Sequence, residues 1–275
     1  MTEDSPTVIK IGGSILREEA AYARAAQALV QTIRRGSTWI VVSAARGVTD
    51  CLARLPCAPT AEELEAVCRL QSRLTGVPVS PALKADLVAA ALRAPSGPRD
   101  ELMGWGERAS VEALRAHLAR EGTWLPMLEL GVGDAGVRPL SAVVPGFYVR
   151  DRQGRARCLP RNGSDISAVL LAAKLGAGLV RFWKEGGGIY SARGVHDVMS
   201  PEEVLSHLSG RSQPLHPTAV RLAARWGINL VLEDPFHFRP STTVAPGPRQ
   251  GSMPRRPDPP GPTAFSIPGR SRGWI

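Results

Sequence analysis

Apolar positions along this chain change period again and again. Thr7–Ile11 is short and β-branched (Val8, Ile9, Ile11) and predicts a strand. Residues 16–34 place Ala21, Ala25, Leu29 and Ile33 at helical spacing, and residues 39–43 form a second buried-type strand closed by the turn-prone Arg46-Gly47. Two such strands around a helix predict a right-handed parallel βαβ unit. Residues 62–74, 81–93 and 102–120 read as helices, separated by Gly76 and by Pro95-Ser96-Gly97-Pro98. Residues 124–130 predict a strand. Residues 144–150 and 155–159 predict a hairpin around Arg152-Gln153-Gly154. Then come a helix over 164–175 ended by Gly176, a strand over 179–183 leading into Gly186-Gly187-Gly188, helices over 201–208 and 217–226, and a strand over 229–233. The alternation predicts one α/β domain, a three-layer sandwich whose mostly parallel central sheet is covered by helices on both faces. Ligands bind such sheets beyond the carboxyl ends of the strands. Four polar or glycine-rich segments fall there: Gly12-Gly13-Ser14, residues 43–49, residues 161–165 and residues 184–188.

Composition narrows the picture. At 275 residues and 43% hydrophobic, the chain can build a sizeable core. The net charge of +9 is uneven: from Arg239 onward six Arg face one Asp, and nine Pro and five Gly fill residues 240–275. That stretch cannot offset its ordering entropy by burial, so residues 245–275 are expected to be a disordered tail behind a domain over 1–244. No basic stripe suggests nucleic acid as a partner. No apolar run approaches the roughly 20 residues that span a bilayer, and the acidic, polar start gives no signal peptide, so a cytoplasmic location is expected. Cys51, Cys57, Cys68 and Cys158 have neither zinc nor disulfide spacing and read as free thiols.

Each polar segment has a plain reading and a chemical one. Lys10 stands just before Gly12-Gly13-Ser14. Glycines between a strand and a helix let backbone N–H groups approach phosphate oxygens, the helix start adds a favourable field, and Lys10 adds a point charge. The segment matches neither G-x-x-x-x-G-K-[ST] nor G-x-G-x-x-G, and taken alone a Gly-rich turn accounts for it. In Arg161-Asn162-Gly163-Ser164-Asp165, Ser164 and Asp165 either cap a helix, or Arg161 forks onto a carboxylate while Asp165 orients Lys10 near a phosphoryl group. Glu107 either pairs with Arg108 or Arg115 in solvent or faces an ammonium group in a pocket. The hydroxyls of residues 43–49 either cap the next helix or hold a carboxylate.

In their order, VIKIGGSIL, VVSAARGVTD, GWGERAS, the hairpin with RNGSD, LHPTAVRLAARWGINLVLED and DPFHFRPSTTV resemble the amino-acid kinase superfamily, and within it the aspartokinases. The resemblance covers residues 7–244. It implies the amino-acid kinase fold and transfer of a phosphoryl group from ATP, with Mg2+ carried by the nucleotide, to a side-chain carboxylate. By similarity Lys10 would bridge the ATP phosphates, with Gly12, Gly13 and Ser14 cradling them and Asp165 holding Lys10. Arg161 would take the substrate α-carboxylate, Glu107 its ammonium, and Ser43, Thr49 and Ser164 the other polar contacts. Lys184, Glu185, Tyr190, Arg193 and Gln213 would lie on the nucleotide side. An ionised carboxylate acceptor needs no general base.

The nucleotide side departs from the family. Lys184-Glu185 replaces Thr-Asp, Val195 stands in place of an Arg with Arg193 nearby, and Gln213 replaces a Lys with Arg211 two residues earlier. Asn162 replaces a Gly, and Asn tolerates left-handed angles. A lost charge-assisted contact costs about 1.5–3 kcal/mol, so two uncompensated losses would weaken ATP binding about 100-fold or more. The family's regulatory pair of small domains is not expected here. Family members often dimerise through this domain, so a homodimer is one expectation. Two alternatives stand beside an aspartokinase-like enzyme: a kinase of this fold for another small acid, and a non-catalytic member that binds a small ligand or partner subunit.

Overall fold

Period-2 apolar runs become strands and period-3.6 runs become helices, in an order that threads a single sheet. The elements are β1 (Thr7–Ile11), α1 (Glu19–Ile33), β2 (Thr38–Val42), α2 (Val48–Arg54), α3 (Ala61–Thr75), α4 (Pro81–Arg93), α5 (Asp100–Met103), α6 (Trp105–Arg120) and β3 (Ala142–Pro145). They continue as β4 (Tyr148–Arg150), β5 (Ala156–Cys158), α7 (Ser164–Leu175), β6 (Leu179–Trp183), β7 (Tyr190–Ser191), β8 (Gly194–Val195), β9 (Val198–Met199), α8 (Pro201–Leu208), α9 (Pro217–Trp226), β10 (Asn229–Glu233) and β11 (Thr242–Val244). This computed structural model describes residues 5–94, 99–131, 139–192, 194–208, 214–237 and 241–245. Arg193, Gln213 and the expected tail beyond Ala245 lie outside the described residues.

The main sheet has the order β3-β2-β1-β6-β10-β11-β9. All neighbours are parallel except β10 and β11. Strand alternation sends Ile9, Ile11, Ile40, Val42 and Trp183 into a core with α1, α3, α4 and α6. Val8, Val41, Val180, Phe182 and Leu232 go into a second core with α7, α8 and α9. Lys10 falls on the α7 face because it alternates with Ile9 and Ile11. A three-layer α/β sandwich results. On the α1 side the β6–β10 half carries a polar cluster instead, with Arg181 and Trp183 both donating to Glu233. This cluster lines a groove of about 840 Å3 with Thr7, Ile9 and Thr38. It lies on the sheet face opposite Lys10.

Local chemistry sets the element ends. Thr60 and Glu63 close a capping box at α3, Ser80 caps α4 ahead of Pro81, and left-handed Gly76, Gly176 and Gly227 end α3, α7 and α9. Three expectations need correction. Residues 16–18 are not helical, because Ile15 N and Leu16 N both donate to the Gly12 carbonyl in a turn before α1. Residues 124–130 are not a strand: Pro126 has no N–H to continue a ladder, and the stretch keeps only an isolated bridge between Met127 and Val143. Residues 144–150 divide at Gly146-Phe147, where Phe147 has φ 67°, so β3 joins the main sheet while β4 pairs with β5.

Candidate functional site

The carboxyl ends of β1, β2 and β6 converge on the start of α7. Lys10 lies in register with Phe182 across β1 and β6, so Lys10 and Lys184, two residues beyond Phe182, share a sheet face. Both meet the first turn of α7. Lys10 Nζ is 2.9 Å from Asp165 Oδ1 and Lys184 Nζ is 2.9 Å from Asp165 Oδ2. His216 N also donates to Oδ2 (3.1 Å), and Lys184 Nζ donates to the Pro214 carbonyl as well. Asp165 is only 1% exposed. Burial alone would raise its pKa, but the two ammonium groups outweigh that and hold it at about 2. Burial, reinforced by Lys10, pulls Lys184 down to about 8 against the pull of Asp165.

The glycine turn is wedged between neighbouring strand ends. Gly12 N donates to the Trp183 carbonyl (3.2 Å), and a Cβ on Gly12 would lie 3.5 Å from Lys10 Nζ. A Cβ on Gly13 would come within 3.1 Å of the Ala44 carbonyl. Ser14 is exposed beside the turn. The chain after β2 is held by α6: Ala44 N donates to Glu107 Oε1 (3.3 Å) and Ala45 N to Ser110 Oγ (2.9 Å). Gly106 permits this approach, since a Cβ there would meet Ala44 Cβ at 3.0 Å. Glu107 is buried, and its second oxygen has no partner among the described residues. Burial pushes its pKa up to about 8, although backbone N–H groups and the Lys10 charge pull it down.

Ahead of α7, Asn162 takes the left-handed conformation (φ 64°). Gly163 is needed because a Cβ there would lie 2.5 Å from Leu159 Cβ. Ser164 is buried against Gly146, and Arg161 reaches across the surface to Asp50 Oδ1 (2.7 Å). Ser43 and Thr49 are half-buried on either side of the Ala44-Ala45 segment. Glu185 is exposed and pairs with Arg17 (3.1 Å), and exposed Tyr190 donates its hydroxyl to the Gly186 carbonyl (2.8 Å). The fold thus brings Lys10, Gly12, Gly13, Asp165 and Lys184 together and sets Glu185 and Tyr190 outside that cluster.

Sequence reasoning missed Asp50 as the partner of Arg161, Ser110 as an acceptor, and Asp234. The Asp234 carboxylate accepts from Gly186 N, Phe236 N and His237 N and so anchors the turn after β6. Asp50 and Asp234 each stand inside segments already picked out by their resemblance, which was the available signal.

The model of the amino acid kinase family matches residues 5–130 and 134–234. The chain belongs to the amino acid kinase family. Among curated relatives in this family, aspartokinase from Thermus thermophilus is 32% identical over 111 residues, covering 38% of this chain and 27% of that protein. Aspartokinase from Mycobacterium tuberculosis is 26% identical over 250 residues, covering 86% of this chain and 56% of that protein. The chain therefore spans a quarter to just over half the length of these relatives. E. coli aspartokinase III, solved in complex with aspartate and ADP, superposes with a TM-score of 0.72 at 21% identity, covering 88% of this chain and 65% of the other. The amino acid kinase fold follows from the family. Among the described residues no helix is long and apolar enough to cross a membrane.

Proposed function

We propose that residues 1–244 form a catalytic domain that transfers the terminal phosphoryl group of MgATP to the side-chain carboxylate of aspartate or a close amino-acid analogue. The products are ADP and an acyl phosphate. The observation that carries this reading is the buried pair of ammonium groups on Asp165, beside a glycine turn at the ends of β1 and β6. Phosphoryl transfer needs positioning and positive charge more than covalent chemistry, and such a cluster supplies both.

Lys10 stabilises charge on the phosphates, with the Gly12-Gly13-Ser14 backbone as their cradle, and Asp165 fixes the Lys10 ammonium. Arg161 receives the substrate α-carboxylate after releasing Asp50. Glu107, with one oxygen unpartnered among the described residues, receives the α-ammonium. Ser43, Thr49 and Ser164 supply further polar contacts, and Lys184, Glu185 and Tyr190 line the nucleotide side. Magnesium enters on the nucleotide and neutralises phosphate charge. The acceptor carboxylate is ionised at neutral pH, so no residue has to remove a proton.

The test is to incubate the protein with MgATP and hydroxylamine and to offer aspartate, glutamate or no acid. Hydroxamate from aspartate supports the reading, and product from another acid alone reassigns the acceptor. No hydroxamate from any acid removes the activity. Lys10→Met should lower turnover by at least about 100-fold while the protein stays folded.

A further inference from the structure

Two buried cations on one carboxylate leave a charge unanswered. Asp165 neutralises one of Lys10 and Lys184, yet all three side chains are less than a tenth exposed. A surplus buried charge is costly unless a counter-ion completes the cluster. Lys184 is also not fully spent on protein acceptors, and its ammonium lies 5.8 Å from the Phe182 ring centroid. An ammonium has three N–H donors, and Asp165 Oδ2 and the Pro214 carbonyl are its two acceptors among the described residues. The same face carries the Lys10 ammonium, and the strand beneath Lys10 ends in the glycine turn.

We propose that Lys184 is a second phosphate-facing cation of the reaction, carried on the end of β6 and held opposite Lys10 by their shared carboxylate. This rests on the phosphoryl-transfer reading. The sequence presents Lys184 as a departure that weakens the nucleotide side; its geometry makes it an added charge that offsets the loss of lysine at position 213. In the transfer step an acceptor carboxylate oxygen bonds to the γ-phosphorus as the bond from that phosphorus to the β–γ bridging oxygen breaks. The electron pair leaves with ADP. Lys184 and Lys10 stabilise the charge on either side and give up no proton.

The experiment titrates MgATP and AMP calorimetrically into the wild-type protein and Lys184→Met, with hydroxamate assays run in parallel. Asp165 keeps Lys10 in the variant, so both proteins should melt at similar temperatures. Lys184→Met should lose about 10-fold or more in preference for ATP over AMP, with AMP affinity unchanged, and about 100-fold in turnover. Ethylammonium should return part of the turnover to Lys184→Ala, which loss of a purely structural lysine would not allow. If Lys184→Met does not fold, Lys184→Arg, which keeps the charge but moves it, replaces it and should also lose the preference. A wild-type preference for ATP in whichever variant folds overturns the proposal, even if the wild type makes hydroxamate. A Lys184-dependent preference without product from any acid supports the phosphate-facing cation and sinks the kinase reading. A wild-type protein that binds no nucleotide ends both.

Discussion

At the scale of single residues, two contacts control how an acidic substrate would enter. The Arg161 guanidinium is held by the Asp50 carboxylate at 2.7 Å, a carboxylate in the place proposed for the substrate's own. Both side chains are largely exposed, and such pairs are worth about 0.2–1 kcal/mol. Asp50→Asn should therefore lower KM for the acid by about 1.4–5-fold and leave kcat little changed, and steady-state kinetics will show whether it does. Glu107 behaves in the opposite sense to an ordinary carboxyl. With its pKa raised from 4.5 to about 8, the folded protein keeps a proton that the unfolded chain releases. Its contribution to stability therefore falls as pH rises from 4.5 to 8, and Glu107→Gln should abolish that slope in thermal melts. An ammonium group bound beside it would restore ionisation. Titration of the amino-acid substrate at pH 7, in buffers of different ionisation enthalpy, should accordingly show close to one proton released, and Glu107→Gln should show none.

At the scale of elements, the site depends on how closely β3 and α7 approach. A Cβ on Gly146 would sit 2.7 Å from Ser164 Cβ, so Gly146→Ala must push back the helix start that carries Asp165. The expected cost is about 1–3 kcal/mol in urea unfolding, with a loss of turnover, and Ser164→Gly in the same chain should recover most of the stability. This contact was not legible in the sequence, because nothing local links residues 146 and 164. The elements themselves were largely legible. Ser164–Leu175, Leu179–Trp183, Pro217–Trp226 and Asn229–Glu233 have the bounds their periodicity and punctuation predict. The failures have physical causes. Residues 124–130 look strand-like by composition, but Pro126 leaves a gap in the donor row. Thr242–Val244 is a three-residue strand too short to show a period; its partner β10 specifies it.

At the scale of the molecule, the gathering of four polar segments at one end of the sheet was legible, but the seat of Lys184 on the Asp165 carboxylate was not. Lys10, Glu107, Asp165 and Lys184 are far apart in sequence, and only the order β2-β1-β6 brings their strands and helices to one end of the sheet. The Asp165 pKa, lowered from 3.8 to about 2, means that its stabilising effect is complete above pH 3.8 and lost as pH falls toward 2. Asp165→Asn should remove that acid dependence from urea unfolding between pH 2 and 7. It should also cost about 3–5 kcal/mol near neutrality, since it strands two cations indoors. The link from Gly12 N to the Trp183 carbonyl has a broader effect. It ties the tips of β1 and β6 at sheet spacing, about 4.8 Å, so the gap between the two lysine-bearing strands works as a ruler cut into the scaffold. Loops can rearrange around an arriving molecule without altering that gauge, so under the proposed phosphoryl transfer the anion that fits it is chosen before any loop moves.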